Sequence, residues 1–185
     1  HKVRKVKYDQ SMTDDDCLAC HGRKDLDLKA ADGRSLFVDR TEIHDSAHTK
    51  VTCAMCHSGI SRFDEPPCRH TGTVNCASCH ADQEAAHEQG IHGKLEAQGN
   101  TDAPGCKSCH GQHGILPRAS ATSPTNVRNV PKLCARCHQT GKPAALLRHG
   151  EIDGLVDSYE MSIHGKGLEE SGLLVTAVCT NCHTA

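Results

Sequence analysis

Six copies of one five-residue pattern carry the chemistry of this chain. They are Cys17-Leu18-Ala19-Cys20-His21, Cys53-Ala54-Met55-Cys56-His57, Cys76-Ala77-Ser78-Cys79-His80, Cys106-Lys107-Ser108-Cys109-His110, Cys134-Ala135-Arg136-Cys137-His138 and Cys179-Thr180-Asn181-Cys182-His183. Two cysteines three apart with histidine directly after the second form the attachment signature of c-type haem. Two thioether bonds fix the macrocycle against the backbone, and the next residue is placed to ligate iron. A lone Cys-x-x-Cys reads equally as half a zinc site or as a redox dithiol. Zinc, however, has no reason to demand histidine at that place, and a disulfide framework would leave six histidines unexplained. The spacing therefore predicts six haem c groups.

Nine further histidines stand outside the motifs: His1, His44, His48, His70, His87, His92, His113, His149 and His164. Six second axial ligands would close six irons, so the supply suffices for low-spin, bis-histidine coordination throughout. Methionine is a weak rival. Met55 lies between two attachment cysteines, and no pattern surrounds Met12 or Met161. Three histidines share a local theme ahead of a motif: Ser46-Ala47-His48-Thr49, Gly90-Ile91-His92-Gly93 and Ser162-Ile163-His164-Gly165. The last two extend to His92-Gly93-Lys94 and His164-Gly165-Lys166 at similar distances from Cys106 and Cys179, which marks an internal repeat. Cys68, the thirteenth cysteine, belongs to no motif and reads first as a free thiol, with an intermolecular disulfide or an unusual ligand as the alternatives.

Gly90-Ile91-His92-Gly93-Lys94, Ala103-Pro104-Gly105-Cys106 through His110, Gly111-Gln112-His113-Gly114, Ser123-Pro124 and Asn129-Val130-Pro131 resemble multihaem cytochromes c of the cytochrome c3/doubled-CxxCH grouping. The resemblance covers residues 66–185 well. Before that it rests on the haem motifs and on Ser46-Ala47-His48. It implies bis-histidine electron carriers, some standing alone, others serving quinone-linked membrane complexes or extracellular conductive assemblies. It also implies that His48, His92, His113 and His164 are axial ligands and that the proline-flanked His70 is another. His87 completes the expected set, ahead of His44, His149 and an exposed His1. In similar sequences a histidine follows the last motif by three residues, as His113 follows His110. Here the chain stops at Ala185, so a trimmed chain is expected.

Bis-histidine ligation implies low potentials, which suits an anaerobic respiratory carrier. The alternative is a multihaem oxidoreductase of the nitrite, hydroxylamine or tetrathionate kind. That requires an open iron, whereas every motif here is plain Cys-x-x-Cys-His and no lysine replaces the histidine. A carrier is the expected reading, with redox proteins or further copies of itself as partners.

The elements that position these groups are short. Ser11, Thr13 and the Asp14-Asp15-Asp16 run are N-cap and first-turn chemistry for a short helix carrying the first motif, at the end of an extended arm over 1–16. Asp32-Gly33 marks a turn and a small hairpin. Thr41 as N-cap would place His44 and His48 on one helix face. Pro66-Pro67 breaks any helix ahead of the third motif. A helix is expected over Ala81–Gln89, ending on Gly90 as C-cap, with loops over 99–105 and 117–131 and another helix over 151–163. Successive first cysteines are 36, 23, 30, 28 and 45 residues apart. About 31 residues per haem is too few for private domains, so neighbouring haems share walls in one hexahaem unit spanning 1–185.

Composition agrees. Hydrophobic residues are 36%, aromatic ones 2%, and there is no Trp, too little to build a conventional core. The expected fold is haem-cored: short α-helices and long coil around a closely packed array, with little or no β structure. Formal charge is −2, made more acidic by haem propionates. No basic stripe supports nucleic-acid binding, and no apolar run is long enough to span a membrane. The first residue is His and no signal peptide is present, as in a mature or trimmed product. Covalent haem attachment in bacteria and archaea happens outside the cytoplasmic membrane, so a periplasmic or cell-surface location is expected. If the chain runs along its array, the haems of His21 and His183 are the exposed terminal ones.

Overall fold

Residues i, i+3 and i+4 of a helix share a face, so a helical turn brings both cysteines and the histidine of a motif to one side of the backbone. The computed structural model, which describes residues 9–60, 68, 73–142, 144 and 154–183, uses that solution for every motif. The carriers are α1 (Asp14–His21), α3 (Cys53–Cys56), a 3-10 turn at Cys76–Ser78, α6 (Cys106–His110), α7 (Val130–His138) and α10 (Cys179–Cys182). Between them lie α2 (Arg40–His44), α4 (Ala81–Gln89), α5 (Ile91–Ala97), α8 (Leu155–Met161) and α9 (Ile163–Glu169). A 3-10 turn at Lys24–Leu26 joins them, and most of the other described residues are turns and coil, as expected for a chain wrapped around cofactors. Two compact units divide it, one of His1–Ala85 with Gly111–Ile115, the other of Ala86–His110 with Leu116–Ala185.

In the first unit α1 starts where the sequence predicts. The Asp16 amide donates to Thr13 Oγ1 (3.2 Å) and the Thr13 amide to Asp16 Oδ2 (2.8 Å), a reciprocal capping box. The Cys53 amide donates to Asp14 Oδ1 at 2.7 Å, tying the second motif to the first helix. The hairpin at Asp32-Gly33 forms as one antiparallel bridge, Lys29 to Ser35, and no longer strand occurs among the described residues.

The expected shared helix face for His44 and His48 does not form. Asp39, not Thr41, caps α2, accepting from the Thr41 amide at 2.9 Å. The helix ends at His44, because Ser46 intervenes: its hydroxyl donates to the Ile43 carbonyl (2.8 Å) and accepts from the His48 amide (3.1 Å). The Ala47 amide leaves the helical pattern and donates to the Ile115 carbonyl at 2.7 Å. His48 therefore projects from a turn.

The second unit contains a helix pair twice. α4 forms as expected, but Gly90 does not act as a left-handed C-cap. With φ −73° and ψ 170° it is extended and opens a second helix, α5, which propensity did not signal. The helix expected over 151–163 does not run through: α8 ends at Met161, and Ser162, at φ −73° and ψ 164°, joins it to α9 in the same way, its hydroxyl accepting from the Gly165 amide (3.2 Å). The loop after Pro117 is pinned by Asn129, whose amide donates to the carbonyls of Ala121 (2.8 Å) and Ser123 (2.9 Å). Pro131, read as loop, sits instead in the first turn of α7, where a missing amide costs nothing. Val130, Leu168 and Val178 form the apolar core, flanked by Val127 and Tyr159; the Tyr159 hydroxyl donates to the Ala177 carbonyl at 3.1 Å. With Leu18, Ala54 and Val156, these are the buried hydrophobic side chains among the described residues. The expected break at Pro66-Pro67 lies outside the described residues.

Candidate haem-binding site

Three motif histidines face a histidine from outside the motifs. The ring centroids of His80 and His48 are 5.9 Å apart at an interplanar angle of 72°. His57 and His113 are 6.2 Å apart at 38°, and His138 and His92 are 6.0 Å apart at 38°. An imidazole binds a first-row metal through a bond of about 2 Å, and its ring centre lies roughly 1 Å behind the ligating nitrogen. Two rings facing one iron from opposite sides therefore have centroids about 6 Å apart. Each pair lies within one unit, and each joins a histidine beside attachment cysteines to one that is not. That is the donor set c-type haem requires, and the residues fit the group.

Burial favours the ligating form. Partial desolvation lowers the pKa of His48, with the neighbouring His80 adding to the effect. It does the same for His92, helped by His138 and His87, and for His113, where Glu42 opposes it. A neutral imidazole offers its lone pair to a metal without first losing a proton.

The attachment cysteines are also brought together across motifs. In the first unit the thiols of Cys17 and Cys53 are hydrogen-bonded, and burial pushes Cys53 up to about 12. Burial also raises Cys56, which feels Cys79 and Cys76 nearby. In the second unit Cys134 donates to Cys179, so Cys134 is raised and Cys179 lowered by one shared proton. Burial raises Cys109 too, with Cys137 close by. The first three motifs thus meet in sequence order in one unit, and the last three do so in the other.

The remaining expected ligands are placed as follows. The His21 ring is anchored by Nδ1, 3.0 Å from the Leu36 carbonyl oxygen, the kind of contact that sets the tautomer of a ligating imidazole. His87 is engaged at both nitrogens, Nε2 lying 3.1 Å from the Pro104 carbonyl oxygen and Nδ1 3.9 Å from Glu96 Oε2. His44 is exposed and paired with Asp45 at 2.8 Å. His164 is exposed, with Nδ1 3.4 Å from Thr176 Oγ1. Among the described residues no histidine ring faces His21, His110, His164 or His183 at the separation of the three pairs. His1, His70 and His149 lie outside the described residues. Cys68 is exposed, with a left-handed backbone at φ 62°.

Two glycines set how the helices that carry His92 and His164 lie, and their role was not read from the sequence although the His-Gly repeat displayed them. A Cβ at Gly93 would overlap the His87 carbonyl oxygen and come within 2.7 Å of Glu88 Cα. A Cβ at Gly165 would overlap the Tyr159 carbonyl oxygen and come within 2.7 Å of Glu160 Cα. In each pair the second helix rests directly on the last turn of the first, and only glycine permits that approach. His92 and His164 stand next to these contacts in the sequence.

Comparison with known proteins agrees with the motifs. The family model described as cytochrome c3 matches residues 1–71, the stretch where the sequence resemblance was thinnest. The model described as doubled CXXCH motif matches residues 96–143. A curated relative, the high-molecular-weight cytochrome c of Nitratidesulfovibrio vulgaris, is 34% identical over 73 residues. That match covers 40% of this chain and 10% of the relative's own length. No solved structure matches.

Proposed function

Because this chain is a multihaem cytochrome c, we propose that it relays electrons through six bound haems, closed by histidine on both faces, without transforming a substrate. The observation that carries this reading is the set of three histidine pairs at 5.9, 6.2 and 6.0 Å. Cys17 and Cys20, Cys53 and Cys56, Cys76 and Cys79, Cys106 and Cys109, Cys134 and Cys137, and Cys179 and Cys182 form the thioethers. His21, His57, His80, His110, His138 and His183 are the proximal ligands. His80 is completed by His48, His57 by His113 and His138 by His92. His70, His87 and His164 are candidates for the other three irons, His87 after release of its contact to Pro104.

When bound, haem supplies a one-electron iron couple. The chain's part is to hold two imidazoles rigidly on each iron, which leaves no position for a substrate and little to rearrange as charge moves. Its sulfur-bearing turns bring motifs 1, 2 and 3 together, and motifs 4, 5 and 6 together, so that transfer steps are short within each set. The likeness to cytochrome c3 supports a place in anaerobic respiration, outside the cytoplasmic membrane. There redox proteins, a quinone-linked complex or further copies of the chain exchange electrons with its haems. No helix among the described residues is long and apolar enough to cross a membrane.

The test is spectroscopic. The oxidised protein should show six low-spin haems, and the reduced protein should bind no carbon monoxide. His48→Ala, His92→Ala and His113→Ala should each open one haem in six to carbon monoxide. A native haem that already binds it would favour the oxidoreductase reading. Three variants that remain fully low-spin would refute the pairing.

A further inference from the structure

A ligating imidazole donates its second ring N–H to an acceptor, which makes the ligand more basic and favours the more highly charged metal. The motif histidines of this chain differ in that contact. His21 Nδ1 lies 3.0 Å from the Leu36 carbonyl oxygen. His80, His110 and His183 are exposed, so water can serve their second nitrogen. His138 has neither. Its Nδ1 is enclosed by protein without a hydrogen-bond partner, a condition that only Thr52 Oγ1 shares among the buried side-chain atoms of the described residues. An orphaned buried N–H costs free energy, and a redox role is one physical reason for a fold to keep it.

Because His138 Nδ1 is closed off, Nε2 is the nitrogen left to meet an iron shared with His92. With no acceptor drawing on its N–H, this imidazole is a weaker donor than that of His21. It stabilises ferric iron less, which raises the potential of the haem it holds.

Charge acts in the same sense. Arg136, in the variable part of the same motif, reaches across to motif 4. Its Nη1 donates to the Ser108 carbonyl at 3.3 Å, and its guanidinium stands near Cys109. A fixed cation where motifs 4 and 5 meet favours an added electron there. The surroundings of His21 act the other way, since Asp14 and Asp16 stand near Cys17 of its motif.

We infer that the first electron the chain accepts rests on the haem of His138. An external one-electron donor is oxidised as that iron passes from ferric to ferrous, and no ligand is exchanged. The inference rests on the bis-histidine reading above and adds to it the place where charge is held.

The experiment uses the haem-loaded chain and electron paramagnetic resonance, in which each low-spin ferric haem gives its own signal. His92→Ala marks the haem of His138, because its signal leaves the low-spin set and becomes high-spin. Wild-type protein given one reducing equivalent of titanium(III) citrate should lose that same signal first. In a redox titration, Arg136→Gln should lower the uppermost step at least tenfold in its equilibrium constant, about 59 mV for one electron. Arg136→Lys, which keeps the charge, should lower it less. If His92→Ala leaves all six haems low-spin, the bis-histidine pairing itself falls. If that variant opens one haem but the first electron removes a different signal, only the inference falls. It is likewise overturned if Arg136→Gln leaves the uppermost step unmoved.

Discussion

Replacing Gly93 with alanine tests how the fold aims a ligand. The added methyl would lie 2.7 Å from Glu88 Cα, about 0.7 Å inside the 3.4 Å at which ordinary contact begins, and closer still to the His87 carbonyl oxygen. Both obstacles are backbone, so neither can swing aside, and α5 must move off α4 by roughly that amount. Overpacking of this kind costs about 1–3 kcal/mol. For a chain of this length each kcal/mol lowers the midpoint by about 2–4 °C, so a fall of roughly 2–12 °C is expected. The ligand moves with the helix. His92 begins 6.0 Å from His138, close to the separation two iron-bound rings require, so a shift of several tenths of an ångström stretches that axial bond. Thermal unfolding of the holoprotein should show the loss of stability. The ferric spectrum should show partial high-spin character at one haem in six. Gly165→Ala meets the same kind of obstacle at Tyr159 and should lower the midpoint similarly. An unchanged midpoint and spectrum in Gly93→Ala would refute the idea that the helix contact positions His92.

Three other outcomes are expected. Mass spectrometry of the intact chain should show six covalent haems, with Cys68 alone open to alkylation; one vacant cysteine pair would identify an idle motif. The haem-free chain should give a far-UV spectrum of unfolded polypeptide, because its few buried apolar side chains cannot offset the entropy of ordering; a cooperative melt would contradict this. Thr13→Ala removes the hydroxyl half of the α1 capping box and should destabilise the holoprotein by about 0.5–2 kcal/mol, read as a lower denaturant midpoint at unchanged slope. An unaltered midpoint would show that the attached haem alone orders α1.

The sequence by itself determined the chemistry at each motif, because thioether attachment and proximal ligation need residues only three and four positions apart. It also specified elements held by local contacts: of the two N-cap candidates Ser11 and Thr13, Thr13 caps α1, and Ala81–Gln89 is helical as read. It supplied enough histidines for every iron, but not which histidine faces which motif. His48 passes over His57 to reach His80, His92 passes over His110 to reach His138, and His113 faces back to His57. Such pairings span roughly 30 to 55 residues and depend on how turns and helices pack, which spacing does not encode. The same limit explains the failed helix face at His44 and His48, where a bond from Ala47 to the distant Ile115 competes with the helical pattern. It explains Gly90 as well. Alone it resembles a helix stop, but Gly93 can rest against the His87 carbonyl, so the chain turns at once into a second helix and aims His92. Local bonding is legible in residue order; ligand pairing is a property of packed backbone, and the tertiary structure decided it.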